Sequence, residues 1–210
     1  VDGKKARHEH VSLTLIKKTA PSNEKIRLVF PLGSLYERET YFYTTVFPQL
    51  EKLRQEFKVK DSFAVVPQVY KTSLAELNEA LLLEDMAAFG YKQWNLLGSL
   101  DREHSLLVAR SYGKLHALSF ALRRLKPAVY HKLEENTPDH IHRVLRLTED
   151  RKVGLKAQMN LALSCLDKEE DRIAYKALEE YFGRVLETIQ AAEAGAGDHS
   201  VLAHCESWIN

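Results

Sequence analysis

The chain has little cysteine, no long apolar run and almost no net charge. Its two cysteines, Cys165 and Cys205, lie forty residues apart with no CxxC spacing. That leaves no disulfide framework and no zinc ribbon, and reduced thiols in the cytosol are the expectation. No apolar run approaches the ~18 residues of a membrane span. The net charge is +1, with Lys and Arg spread along the chain, so no basic face marks a nucleic-acid binder. No GxGxxG and no GxxxxGK[ST] occurs, which removes the dinucleotide fingerprint and the Walker loop. The chain opens on Val1 rather than Met, and nothing resembles a signal peptide. Its start looks as cut as its end, and it reads as a piece of a larger protein.

What is present is ordinary globular material. A chain of 210 residues, 45% apolar and 28% charged, can bury a core as one domain or two small lobes. "HVSLTLIKKT" alternates apolar and polar residues and predicts a strand, and "KIRLVF" a second short one. "SLYERETYFYTTVFPQLEKLRQEF" predicts a helix opened by a Ser34–Glu37 capping box. Its apolar stripe is Tyr36, Tyr43, Val46, Leu50, Leu53 and Phe57, and Pro48 should kink or split it. "FAVVPQVY" and "EALLLED" read as further strands.

After residue 86 the pattern turns helical. The strongest helix is "LDREHSLLVARSYGKLHALSFALRRL", with Val108, Tyr112, Leu115, Leu118, Leu122 and Leu125 in one stripe. More polar helices are predicted around 137–148, 152–166 and 168–192, ending at "AGAGD". The sum is an α+β fold: a sheet-bearing part at 1–86 and a helical part at 87–210, with a cleft between them for a ligand.

Several residues stand out chemically, each with a bland reading beside it. Lys17 and Lys18 end the first strand, where a lysine pair is ordinarily solvated. Glu39 lies between Tyr36 and Tyr43 on an apolar stripe, and a buried carboxylate needs a partner. Glu84, Asp85 and Met86 follow an apolar strand, as any strand end turning into a loop does. His116 lies one step off the stripe of the long helix, where a histidine usually packs. In "HCESW", His204, Cys205 and Glu206 are sequence neighbours, which is poor geometry for a Cys–His nucleophile. Their order matters more than any one of them. A strand lysine, a helix glutamate about twenty residues on, a hinge, a long helix and a His-x-acid loop follow the order of parts in a kinase-like phosphotransferase.

The chain resembles the ecdysteroid-kinase-like family of insects, in the choline-kinase and aminoglycoside-phosphotransferase branch of the kinase-like fold. "LIKKTAP" is similar to the family's lysine strand, and "YERETYFYTTVFPQL" to its aromatic-x-x-Glu-x-x-x-Tyr helix. "LLLEDMAAFGY" is similar to its hinge, and "LVARSYGKLHALSFAL" to the helix bearing "LAxxHA". "VLAHCESWIN" resembles its catalytic loop, "VLxHGDxWxxN". The resemblance spans about 10–210.

It implies a two-lobe fold, ATP and Mg²⁺ as cofactors, and a small lipophilic alcohol as acceptor, with the lobes at 1–86 and 87–210. It implies that a lysine of the first strand pairs with the nucleotide's phosphates and that Glu39 holds it. Proline spacing selects Lys18, whereas strand alternation puts Lys17 on the face of Val11, Leu13 and Leu15. The backbone around Glu84, Asp85 and Met86 would meet the adenine edge. His116 would pack beneath the catalytic loop, His204 would brace it, and Trp208 would pack it against the helical lobe. Glu206 falls where the family has its catalytic aspartate.

Two substitutions depart from that pattern. Cys205 replaces the motif glycine and Glu206 the aspartate. The extra methylene displaces the carboxylate by about 1.5 Å, and a misplacement near 1 Å can cost roughly 10²-fold in rate. The metal-binding asparagine would fall one residue past Asn210, and the glycine-rich phosphate loop before residue 10. Weak or absent turnover by this chain is the expectation.

Overall fold

The computed structural model describes residues 2–4, 10–60, 66–95, 98, 100–137, 149–193 and 197–204. Short strands β1 (Asp2–Lys4) and β2 (His10–Ser12) pair with each other. A second sheet contains β3 (Leu15–Thr19), β4 (Val69–Ser73) and β5 (Ala80–Glu84) in the order β3-β5-β4, all antiparallel. The single strand expected over "HVSLTLIKKT" is therefore two, parted at Leu13–Thr14, where the Thr14 carbonyl accepts the Asp85 N–H. β4 begins only at Val69, after Pro67, which has no N–H to give a ladder.

Register decides which side chains share a face. Lys18 lies opposite Leu81, and Leu81 opposite Thr72, so these three share one face. Lys17, Leu82 and Lys71 share the other. Leu81 is fully buried, which marks its face as the inner one.

The strand expected at "KIRLVF" is instead helix α1 (Glu24–Val29). Asn23 caps it, its side chain accepting the N–H groups of Lys25 and Ile26, and Glu24 complements the helix dipole in the first turn. Arg27 fixes α1 to the sheet. Its guanidinium donates to both carboxylate oxygens of buried Glu79, at 2.9 and 2.6 Å, and to the Pro21 carbonyl.

Helix α2 (Leu32–Tyr41) runs through a π-helical turn, Phe42–Val46, into α3 (Phe47–Glu56). The expected Ser34–Glu37 box does not form. The cap position lies three residues earlier, at Pro31, with no side-chain cap. The disruption expected at Pro48 appears just upstream as the π turn, in which the Phe47 N–H bonds the Phe42 carbonyl. Proline cannot donate to the ladder, and the wider turn accommodates the loss.

After a 3₁₀ turn, Met86–Phe89, come α4 (Arg102–Leu125) and α5 (Pro127–Glu135). α3 packs on α4 and α4 on α5. Their shared core is Phe42, Val46, Leu50, Leu53, Leu115, Leu118, Leu122, Tyr130, Leu133 and Leu202. The ends of both predicted stripes lie outside it: Phe57, Val108 and Leu125 are exposed.

The compact units are residues 1–137 with 201–210, and residues 138–200. Within the first unit, α3 and α4 share one core across residue 86. The second unit contains α6 (Glu149–Ser164) and α7 (Arg172–Glu193), packed on each other and close to the helices predicted there. Of the helix expected over 137–148, all but Thr137 lies outside the described residues. Among the described residues no helix is long and apolar enough to cross a membrane.

Candidate phosphoryl-transfer site

Strand β3 and helix α2 meet through one ion pair. Lys18 Nζ donates to Glu39 Oε2 at 2.6 Å. The Glu39 side chain is 6% exposed and that of Lys18 38%. A buried carboxylate thus holds a lysine whose side chain is partly exposed. The Tyr36 ring, one turn before Glu39, lies 5.7 Å from the same ammonium. Lys18, not Lys17, occupies the inner face, because the register sets it opposite buried Leu81. Burial, aided by the Glu39 charge, pushes the nearby Tyr43 phenol up to about 12.

The hinge follows directly from β5. The Glu84 N–H donates to the Gln68 carbonyl and a Glu84 carboxylate oxygen accepts the Gln68 N–H at 3.2 Å. The Asp85 side chain caps the 3₁₀ turn at Ala87 N, and Met86 opens that turn. Gly90, at φ 87°, ends it in the left-handed region that glycine adopts without strain. Both acidic side chains are engaged with backbone N–H groups.

The third part is the segment 201–204. Leu202 is buried in the core, and its N–H donates to Ser119 Oγ of α4 at 2.8 Å. Arg38 of α2 donates to the Ala203 carbonyl at 2.5 Å and to the His204 carbonyl at 3.4 Å. The His204 imidazole stacks on Phe47 at 5.8 Å and meets the edges of Phe42 and Tyr43. Burial, then the positive charges of Lys18 and Arg38, hold it at about 4, so the ring is neutral at pH 7. Its Nε2 is buried with no hydrogen-bond partner among the described residues. The ring also lines a mainly apolar cavity of about 310 Å³ with Tyr43, Phe47, Leu107, Tyr112 and Leu115.

Of the expected site residues, Lys18, Glu39, Glu84, Asp85, Met86 and His204 are described. Cys205, Glu206, Trp208 and Asn210 lie outside the described residues. His116 lies against Tyr112, and the bond from α4 to the loop comes from Ser119. Sequence reasoning missed Ser119 and Arg38. The available signals were a serine on the α4 apolar face and an arginine beside the inward glutamate. Among the described residues no group of three or more His, Cys, Asp or Glu is placed to hold a metal ion.

The inner-face lysine of the antiparallel sheet is thus paired to a helix glutamate, in the same compact unit as the turn after β5 and the His204 segment. The model of the ecdysteroid kinase-like family matches residues 1–210, and the chain belongs to that family. Such kinase-like proteins act on a nucleotide and a small molecule. No curated protein and no solved structure matches the chain.

Proposed function

We propose that the chain binds ATP between Lys18 and the hinge at Glu84–Met86, and serves phosphoryl transfer to a hydroxyl of a lipophilic, ecdysteroid-like acceptor. The observation that carries this reading is the Lys18–Glu39 pair: a partly exposed lysine side chain held by a buried carboxylate on the inner sheet face. That arrangement fits an anionic phosphate group, since a fixed cation needs no reorganisation to meet it. Lys18 would hold the phosphates, Glu39 would orient Lys18, and the main chain at 84–86 would meet the base. ATP would supply the transferable phosphoryl group. The residues up to 86 would carry the nucleotide and those from 87 the acceptor. The apolar cavity beside His204 supports a lipophilic acceptor. Glu206 would take the hydroxyl proton, with His204 bracing its loop.

Cys205 and Glu206 favour a second reading, a nucleotide-binding protein of the same architecture that has lost turnover. A thermal-shift titration with ATP, with and without Mg²⁺, tests the binding step. ATP should raise the melting temperature of the wild type and of Lys17→Met, but not of Lys18→Met. An equal shift in Lys18→Met would refute the assignment. ADP release then separates the two readings. A rise of tenfold or more in the Cys205→Gly/Glu206→Asp variant supports a weakened kinase, and no rise supports the silent binder.

A further inference from the structure

Successive residues on a helix point about 100° apart, so Arg38 and Glu39 reach different neighbours from one position on α2. Glu39 bonds Lys18 of the sheet. Arg38 bonds two consecutive carbonyls, those of Ala203 and His204, three and two residues before Glu206. The guanidinium is held in turn: its carbon lies 5.5 Å from the Phe42 ring one turn on, and that ring meets the edge of His204 at 5.4 Å. Donors in a rigid fork fix the direction of both peptide planes, which a lysine ammonium cannot do.

We propose that Arg38 is a positioning residue for the loop carrying Glu206, and that α2 couples this loop to the Lys18–Glu39 pair. The inference rests on the functional reading above for the roles of Lys18 and Glu206, but not for the coupling itself. If α2 is a rigid link, loosening it at the sheet end loosens the loop, and only while Arg38 is in place. A double-mutant cycle detects such dependence.

The experiment follows amide hydrogen exchange at Leu202, whose N–H is bonded to Ser119 Oγ one residue before the carbonyls that Arg38 holds, in the 210-residue chain by NMR. Amides of α4 around Leu118 serve as the control for an intact fold. Arg38→Gln should speed exchange at Leu202 by at least tenfold, with the α4 amides unchanged. Arg38→Lys, which keeps the charge and loses the fork, should follow Arg38→Gln. Lys18→Met should speed loop exchange about threefold when Arg38 is present and not at all in the Arg38→Gln background. Unchanged loop exchange in Arg38→Gln overturns the proposal. Wild-type exchange in Arg38→Lys also overturns it, because charge alone would then suffice. Equal effects of Lys18→Met in both backgrounds overturn the coupling. None of these measurements uses nucleotide, so failure of ATP to stabilise the wild type would count against the functional reading and leave this result to stand or fall separately.

Discussion

Acid should unfold this protein partly through one ring. His204 is enclosed by Phe42, Tyr43 and Phe47 with its Nε2 unpartnered among the described residues. Its midpoint drops from 6.5 to about 4, chiefly through burial and secondarily through Lys18 and Arg38. Above pH 6.5 the ring is neutral in both the folded and the unfolded chain and contributes no pH dependence. As pH falls below 6.5 the unfolded chain takes up a proton that the folded chain refuses, so stability declines until about pH 4. At ~1.4 kcal/mol per pH unit, the full loss is roughly 3 kcal/mol, of which about 2 kcal/mol falls between pH 7.5 and pH 5.

The assay is urea unfolding of the wild type and of His204→Phe across that range. Phenylalanine keeps a ring in the aromatic enclosure and removes the titration. The gap between the two stability curves should change in favour of the variant by that amount as pH falls. Differencing cancels the other titrating groups, including the remaining eight of the nine histidines. Parallel curves, or an NMR titration midpoint for His204 near 6.5, would refute the burial argument.

Two further outcomes follow from the same core and its anchors. Glu79, held at about 2 mainly by its hydrogen bond from Arg27, contributes stability that is complete above pH 4.5 and lost as pH falls through about 2. Glu79→Gln should therefore be less stable than the wild type at pH 5 and close on it by pH 2.5, read from urea midpoints at each pH. Phe42→Ala empties a fully buried position between α3 and α4 and should cost about 3–5 kcal/mol at pH 7.5; a loss below ~1 kcal/mol by urea unfolding would show that the site collapses freely.

How far each element was legible depended on how local its cause is. β5 and α4 were readable because their periodicity answers to burial along the element itself. α1 was misread: "KIRLVF" is short and apolar enough for a strand, and the Asn23 cap and the Arg27–Glu79 pair decide otherwise. Glu39 was legible as a carboxylate in need of a partner, because an apolar stripe makes a charge conspicuous. Which lysine would meet it was not, since that depends on the break between β2 and β3 and on the register with β5. Arg38 and Ser119 were illegible for a related reason. Each is an unremarkable polar residue on a helix until its partner arrives, 165 positions away for Arg38 and 83 for Ser119. The exposed ends of the stripes, Phe57 and Leu125, show the limit of periodicity, which reports a face but not where its neighbours stop.

Leu202 gives the core a timetable. The helices that surround it lie between residues 42 and 133, and all of them leave the ribosome well before it does. Until residues 201–204 have been made, Ser119 Oγ and the Arg38 guanidinium lack the backbone groups they bond, and a leucine-sized gap stays open in the core. Closing a loop of that length carries an entropic cost that only the finished contacts offset. The segment that fills this gap in the core is the same one that leads into the catalytic-loop motif.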